Sequence, residues 1–83
     1  MSLAVVFRET ALRNLARIRG EDQDLFLRAR RAISLLADQP YPDSAFAWGA
    51  TGIYRLHSGG IRVLYEVDDA AATVYIINTG IMP

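Results

Sequence analysis

The chain has no cysteine and no lysine, a single histidine and a single tryptophan. Without cysteine there is neither a disulfide framework nor a thiolate metal site. One histidine among scattered carboxylates is a poor donor set for zinc, so neither a metal nor a cofactor is expected. Without lysine, every basic side chain is an arginine, which holds its proton at all ordinary pH values. Proton transfer near neutral pH then falls to His57. Long apolar runs are missing too. The opening stretch Leu3–Phe7 is followed at once by Arg8 and Glu9, which is too short for the core of a signal peptide. No run approaches the roughly 20 apolar residues of a membrane span. A cytoplasmic protein with no membrane contact is expected. Excess charge is also lacking: nine basic residues balance nine acidic ones. That balance counts against tight, non-specific binding of nucleic acid, which normally needs a strongly positive field.

At 83 residues the chain reads as one domain, residues 1–83. A chain of this size buries roughly 60% of its unfolded surface, so its fold is marginal and a bound partner would add to its stability. Leu3–Arg8 alternates as a short strand. Thr10 is the expected N-cap of a first helix and Gly20 its C-terminal stop. Leu12, Leu15, Ala16 and Ile18 form its apolar stripe. Asp22 is placed to cap a second helix, in which Leu25, Phe26, Ala29, Ala32, Ile33 and Leu36 recur at helical spacing. The short link predicts an antiparallel helical hairpin, ended by Pro40 and Pro42. Residues 41–51 read as irregular, with Phe46 and Trp48 as packing anchors.

The most informative stretch is GIYRLHSGGIRVLYE, residues 52–66. Gly59-Gly60 between two alternating segments predicts a two-residue hairpin turn. It sets His57 opposite Arg62, Leu56 opposite Val63 and Tyr54 opposite Tyr65. One face then carries Tyr54, Leu56, Ile61, Val63, Tyr65 and Val67; the other carries Arg55, His57, Arg62 and Glu66, with Ile53 and Leu64 beside them. The first face is a core. The second sets two guanidiniums, an imidazole and a carboxylate on strands, a composition suited to a phosphodiester. A last strand, Thr73–Ile81, is expected to pair Tyr65 with Tyr75 and Val63 with Ile77, placing Tyr75, Ile77 and Thr79 in the core and Asn78 beside Arg62. The whole reads as an α+β fold in the order β-α-α-β-β-β, a helical hairpin packed on one face of a mostly antiparallel four-stranded sheet. The opposite face is free and holds the arginines.

VVFRETALRNLARI and the run WGATGIYRLHSGGIRVLYEVDDAAATVYIINTG resemble the RelE/ParE superfamily of toxins from type II toxin–antitoxin pairs. Arg55, Gly60, Arg62, Tyr65 and Gly80 fall on the positions that carry the pattern. The resemblance implies a RelE-like fold and a toxin held by a cognate antitoxin, a small acidic protein that folds on binding. It also implies a metal-independent mRNA endoribonuclease acting on translated mRNA at the ribosome, through attack of the ribose 2′-OH on the adjacent phosphorus. Arg62 and Arg55 match basic positions that hold the scissile phosphate, and His57 a further basic position. Active members carry an arginine after the last-strand glycine, then a tyrosine or histidine; here Gly80 is followed by Ile81, Met82 and Pro83. That departure favours two alternatives: a ParE-like protein that inhibits gyrase by contact, or a catalytically degenerate relative that only binds antitoxin.

Each candidate has a plain counterpart. Arg62 could merely solubilise a strand, and His57 could be an ordinary surface residue; sharing a face, they point to phosphate binding, with His57 the proton-transfer candidate. Glu66 reads as an ion-pair partner orienting Arg55 or Arg62, with Asn78 as a second orienting or RNA-binding residue. Arg28, Arg30 and Arg31 read as a solvated helix face or as a docking surface for an acidic antitoxin or ribosomal RNA. Tyr54, Tyr65, Tyr75 and Trp48 read as core.

Overall fold

The computed structural model describes residues 2–82; Pro83, the end of the run discussed above, lies outside them. The chain forms β1 (Ala4–Phe7), α1 (Glu9–Glu21), α2 (Gln23–Leu36), β2 (Ala45–Ala47), β3 (Ile53–Ser58), β4 (Ile61–Asp68) and β5 (Thr73–Ile81). The strands make one sheet in the order β1-β5-β4-β3-β2, antiparallel except for β1 beside β5. The α+β class and the helical hairpin on one sheet face match expectation. The sheet has five strands, not four, because part of the stretch read as irregular pairs with β3, Phe46 opposite Arg55. Both flanks of Phe46 are alanine, a weak strand former, and pairing with β3 overrides that preference.

Local chemistry explains the helix ends. Arg8 donates its backbone N–H to Ile76 O at 2.9 Å, continuing the β1–β5 pairing, and α1 starts immediately after it. Arg8, not Thr10, is therefore the N-cap, without a side-chain cap bond. Gly20 lies inside α1 and not at its end. The chain reverses at Asp22 alone: its N–H returns to Ile18 O at 2.8 Å, and its carboxylate accepts the Leu25 N–H at 3.1 Å. One residue thus closes α1 and caps α2, so that no loop separates the two helices.

The β3–β4 register is the expected one, with Ser58 opposite Ile61, His57 opposite Arg62 and Tyr54 opposite Tyr65. Gly59 and Gly60 both have positive φ, 60° and 86°, the backbone that a type I′ turn demands and that glycine adopts without strain. Leu56, Ile61, Val63, Tyr65 and Val67 are buried against Ala11, Leu15, Ala29, Ile33 and Leu36 of the helices. Burying each large aliphatic side chain contributes on the order of 1.5–3 kcal/mol.

The β4–β5 register departs from expectation. Tyr65 faces Ile76 and Leu64 faces Asn78, so Ile77 is an extra residue at a bulge. The bulge reverses the alternation: Val74 and Ile76 enter the core, Thr79 stays in it, and Tyr75 moves to the open face. Its ring there lies under the Arg8 guanidinium, 4.6 Å away. β5 is also an inner strand over Thr73–Ile76, and the sheet edges are β1 and β2. Leu12 is 51% exposed, outside the α1 stripe, and Trp48 and Phe46 are exposed at 45% and 41%, not core.

Tyr65 is fully buried, and its hydroxyl donates to Pro40 O at 2.7 Å. That bond ties the sheet to the segment after α2. Burial, then the neighbouring Tyr54 and Tyr41, push its phenol up to about 12. The folded state therefore keeps a proton that the unfolded state releases near pH 10, so stability is full below pH 10 and falls as pH rises towards 12. With no lysine in the chain, tyrosines dominate titration in that window. Tyr65→Phe is expected to cost about 1 kcal/mol at neutral pH and to flatten the fall in stability above pH 10. Urea unfolding of both proteins between pH 8 and 11.5 measures both effects.

Candidate functional site

The helices cover one sheet face. On the other, cross-strand pairing arranges side chains in three rows. The first holds His57 on β3, Arg62 on β4 and Gly80 on β5. The second holds Phe46, Arg55, Leu64 and Asn78, one from each of β2 to β5. The third begins at Trp48, whose N–H donates to Ile53 O at 2.9 Å, and continues through Glu66 to Tyr75. The open face is thus aromatic at its β2 edge, cationic in the middle and amide-bearing at β5.

Arg55, Arg62, Leu64, Asn78 and Thr79 surround a small concavity of about 40 Å³. Arg62 lies across Gly80: a Cβ there would meet its Nε at 3.1 Å and its Cζ at 3.4 Å. Arg55 is held from the other side by Trp48, its Cζ 4.0 Å from the ring centroid. Its Nε is buried and has no hydrogen-bond partner. A buried donor left unpaired costs about 1–3 kcal/mol, and in native proteins such a group calls for an explanation. The only ion pair among the described residues is Arg13 with Glu9, on α1. Neither Arg55 nor Arg62 is neutralised by a carboxylate.

Asn78 is locked from behind. Its Oδ1 accepts the Asn14 side-chain amide at 2.6 Å and the Thr79 N–H at 2.9 Å. Its own amide group is left as a donor beside the concavity. Asn14, on α1, has no motif to mark it and was not a sequence-derived candidate. Thr79 is held in turn, its hydroxyl donating to Ala11 O at 3.1 Å.

The expected site residues therefore divide. Arg55, Arg62 and Asn78 come together. His57 stands directly across from Arg62, but its ring meets Phe46 edge-on at 5.2 Å and does not line the concavity. Glu66 forms no ion pair with either arginine; it sits a row away, opposite Ile53. Arg28 and Arg30 are engaged in different places. Arg28 is turned onto the hairpin, its guanidinium donating to Gly59 O at 3.3 Å. Arg30 lies near the Phe26 ring, at the rim of an apolar groove of about 340 Å³ between β1 and the helices. Among the described residues, no group of three or more histidine, cysteine or carboxylate side chains is placed to hold a metal ion. No helix among them is long and apolar enough to cross a membrane.

The arrangement offers two guanidiniums without carboxylate partners and one fixed amide to a single concavity, a donor set suited to an anion. Gly80 keeps it open. Gly80→Ala is expected to displace the Arg62 guanidinium and weaken binding of a short single-stranded RNA roughly 10- to 100-fold, the loss of one charge-assisted hydrogen bond. The melting temperature should change little, because the crowded neighbour is the end of a flexible side chain. Fluorescence anisotropy and thermal melting of the variant check the two halves.

Comparison with known proteins gives this site its context. The family model of the ParE toxin of the type II toxin–antitoxin system parDE matches residues 5–80. No curated protein matches the chain. Among solved structures, it is similar to a chain of the toxin–antitoxin complex RelBE2 from Mycobacterium tuberculosis, at 22% identity and a TM-score of 0.79, covering 98% of this chain and 99% of that one. The archaeal RelE–RelB complex from Pyrococcus horikoshii OT3 gives 20% identity and a TM-score of 0.81, covering 98% and 96%. The isolated E. coli RelE toxin gives 18% and 0.78, covering 99% and 86%. At these identities the structural likeness establishes the shared fold, and the family rests on the match to residues 5–80: the chain belongs to the ParE toxins of type II toxin–antitoxin systems, within the RelE/ParE superfamily.

Proposed function

We propose that the protein is a toxin that cleaves mRNA on the translating ribosome in the cytoplasm, using the open sheet face. The observation that carries this reading is the pair of guanidiniums, Arg55 and Arg62, facing one concavity with Asn78 and without a carboxylate partner. A scissile phosphate fits that charge. The 2′-OH attacks the adjacent phosphorus, the phosphorane forms, and the 5′-oxygen leaves, giving a 2′,3′-cyclic phosphate and a 5′-hydroxyl. Arg62 and Arg55 stabilise the charge that grows on the phosphoryl oxygens. Arg55 Nε–H and the Asn78 amide supply further donors. His57, across from Arg62, is the group that takes the 2′-OH proton, and the 5′-oxygen leaves with a proton returned from the imidazolium or from water. No step requires a cofactor.

An acidic antitoxin is the proposed partner. The groove between β1 and the helices is lined by Val5, Phe7, Leu12, Leu15, Phe26 and Ile33, with Arg30 at its rim. It suits an amphipathic segment carrying carboxylates beside its apolar residues, ordering as it binds. Two of the structural relatives named above, from M. tuberculosis and P. horikoshii, are toxin–antitoxin complexes.

One observation favours a second reading. The matching family model is that of ParE toxins, and Met82 stands where RNA-cleaving relatives are expected to carry an arginine. In that reading the same cationic face binds gyrase and cleaves nothing. Primer extension on a translated mRNA separates the two. Wild type is expected to cut, and Arg62→Ala to lower the rate by about 10²–10³. Undiminished cutting by Arg62→Ala removes Arg62 from the mechanism. Inhibition of gyrase supercoiling by a wild type that leaves RNA intact overturns the nuclease in favour of the gyrase inhibitor.

A further inference from the structure

The β2 edge of the open face carries two aromatic rings, Phe46 and Trp48, that the phosphate chemistry does not use. Phe46 and Trp48 sit on and just after a three-residue edge strand, and both remain largely exposed. They are not scattered. Their rings meet edge to face, with centroids 6.0 Å apart and planes at 73°. Phe46 meets the His57 ring at 5.2 Å and 88°. Arg55 covers one face of the Trp48 indole at 4.0 Å. The result is a continuous tier of two aromatic rings, an imidazole and a guanidinium plane, with Phe46 and Trp48 exposed and His57 and Arg55 half-buried beside them. Its position is set by the ladder: Phe46 is directly opposite Arg55, one strand spacing of about 4.8 Å away. The aromatic tier and the anion site therefore share Arg55.

We propose that Phe46, Trp48 and His57 form a stacking platform for an unpaired nucleobase of the RNA whose phosphate lies against Arg55 and Arg62. The inference rests on the phosphodiester reading of this face and adds to it a second point of contact: an unpaired base held on the β2 edge beside the phosphate held by the arginines. Three physical arguments carry it. Aromatic faces and guanidinium planes are the surfaces on which proteins stack unpaired RNA bases. The unpaired arginines give the tier charge complementary to a polyanion, and no carboxylate lies within ion-pair distance of either. The tier also resolves the zero net charge of the chain: a protein with a weak overall field gains affinity from stacking, which salt does not screen.

The chain's sole tryptophan is in the platform, so its emission reports directly on stacking. The probes are a hexanucleotide of single-stranded RNA and an abasic oligonucleotide of the same length and charge, titrated into the full-length protein. The base-bearing probe is expected to quench Trp48 and to bind at least 10-fold more tightly than the abasic one. Read by fluorescence anisotropy of end-labelled probes, Phe46→Ala should abolish most of that difference in affinity, while Trp48→Phe, which keeps an aromatic face but no tryptophan emission, should retain it. Circular dichroism melts confirm that both variants fold. If the abasic probe binds as tightly and quenches as strongly as RNA, the platform is overturned while the phosphate reading stands. If neither probe binds, both are overturned.

Discussion

The register of the β3–β4 hairpin fixes which side chains meet on each side of the sheet. It is held by two glycines at positive φ and by the Arg28 side chain, which packs over Gly59 and bonds its carbonyl. Strand side chains alternate with a period of two, so a slip by one residue would move Arg55, His57 and Arg62 into the core and Leu56 and Val63 into solvent. Burying three polar groups against α1 and α2 without partners would cost far more than the fold can spare. The hydrophobic face therefore enforces the cationic one. The same aliphatic side chains that hold the helices to the sheet determine that two guanidiniums point the other way.

Charge in this chain is a matter of placement. The sum is zero, yet the open face concentrates two arginines with no carboxylate in contact. Their geometry is set by neighbours of different kinds: Gly80 lets Arg62 lie flat across β5, and Trp48 holds Arg55 by its ring. Asn14 reaches from α1 to fix the Asn78 amide, coupling the covered side of the molecule to the open one. Both arginines are thus positioned before any ligand arrives, which lowers the cost of binding one.

The hairpin, its register and the α2 face were legible in the sequence because Gly-Gly turns and long amphipathic periods are strong local signals. The features missed are non-local. Ala45-Phe46-Ala47 becomes a strand only because β3 offers it a partner, and the partnership turns Phe46 and Trp48 from expected core into an exposed edge. The bulge at Ile77 has no sequence mark; the alternation of Thr73–Ile81 reads equally well without it, and inserting one residue sent Tyr75 to the wrong face. Thr10 lost the cap to Arg8 because strand pairing ends there. For the site, the alternation found Arg55, His57 and Arg62, and Asn78 followed from the strand after them. Glu66 was expected to pair with an arginine and sits a row away. Asn14 lies 64 positions from Asn78, a contact that only the packing of α1 on β5 creates.

The central claim is that Arg55, Arg62 and Asn78 form one anion site. Side-chain nitrogen NMR of ¹⁵N-labelled protein, titrated with inorganic phosphate, reads it directly. The account predicts saturable shifts of the Arg55 and Arg62 Nε–H and of the Asn78 amide along a single binding curve, with Arg13 and Arg31 on the helices nearly unmoved. Shifts spread evenly over all arginines, or an Arg55 Nε–H that does not respond, would contradict it.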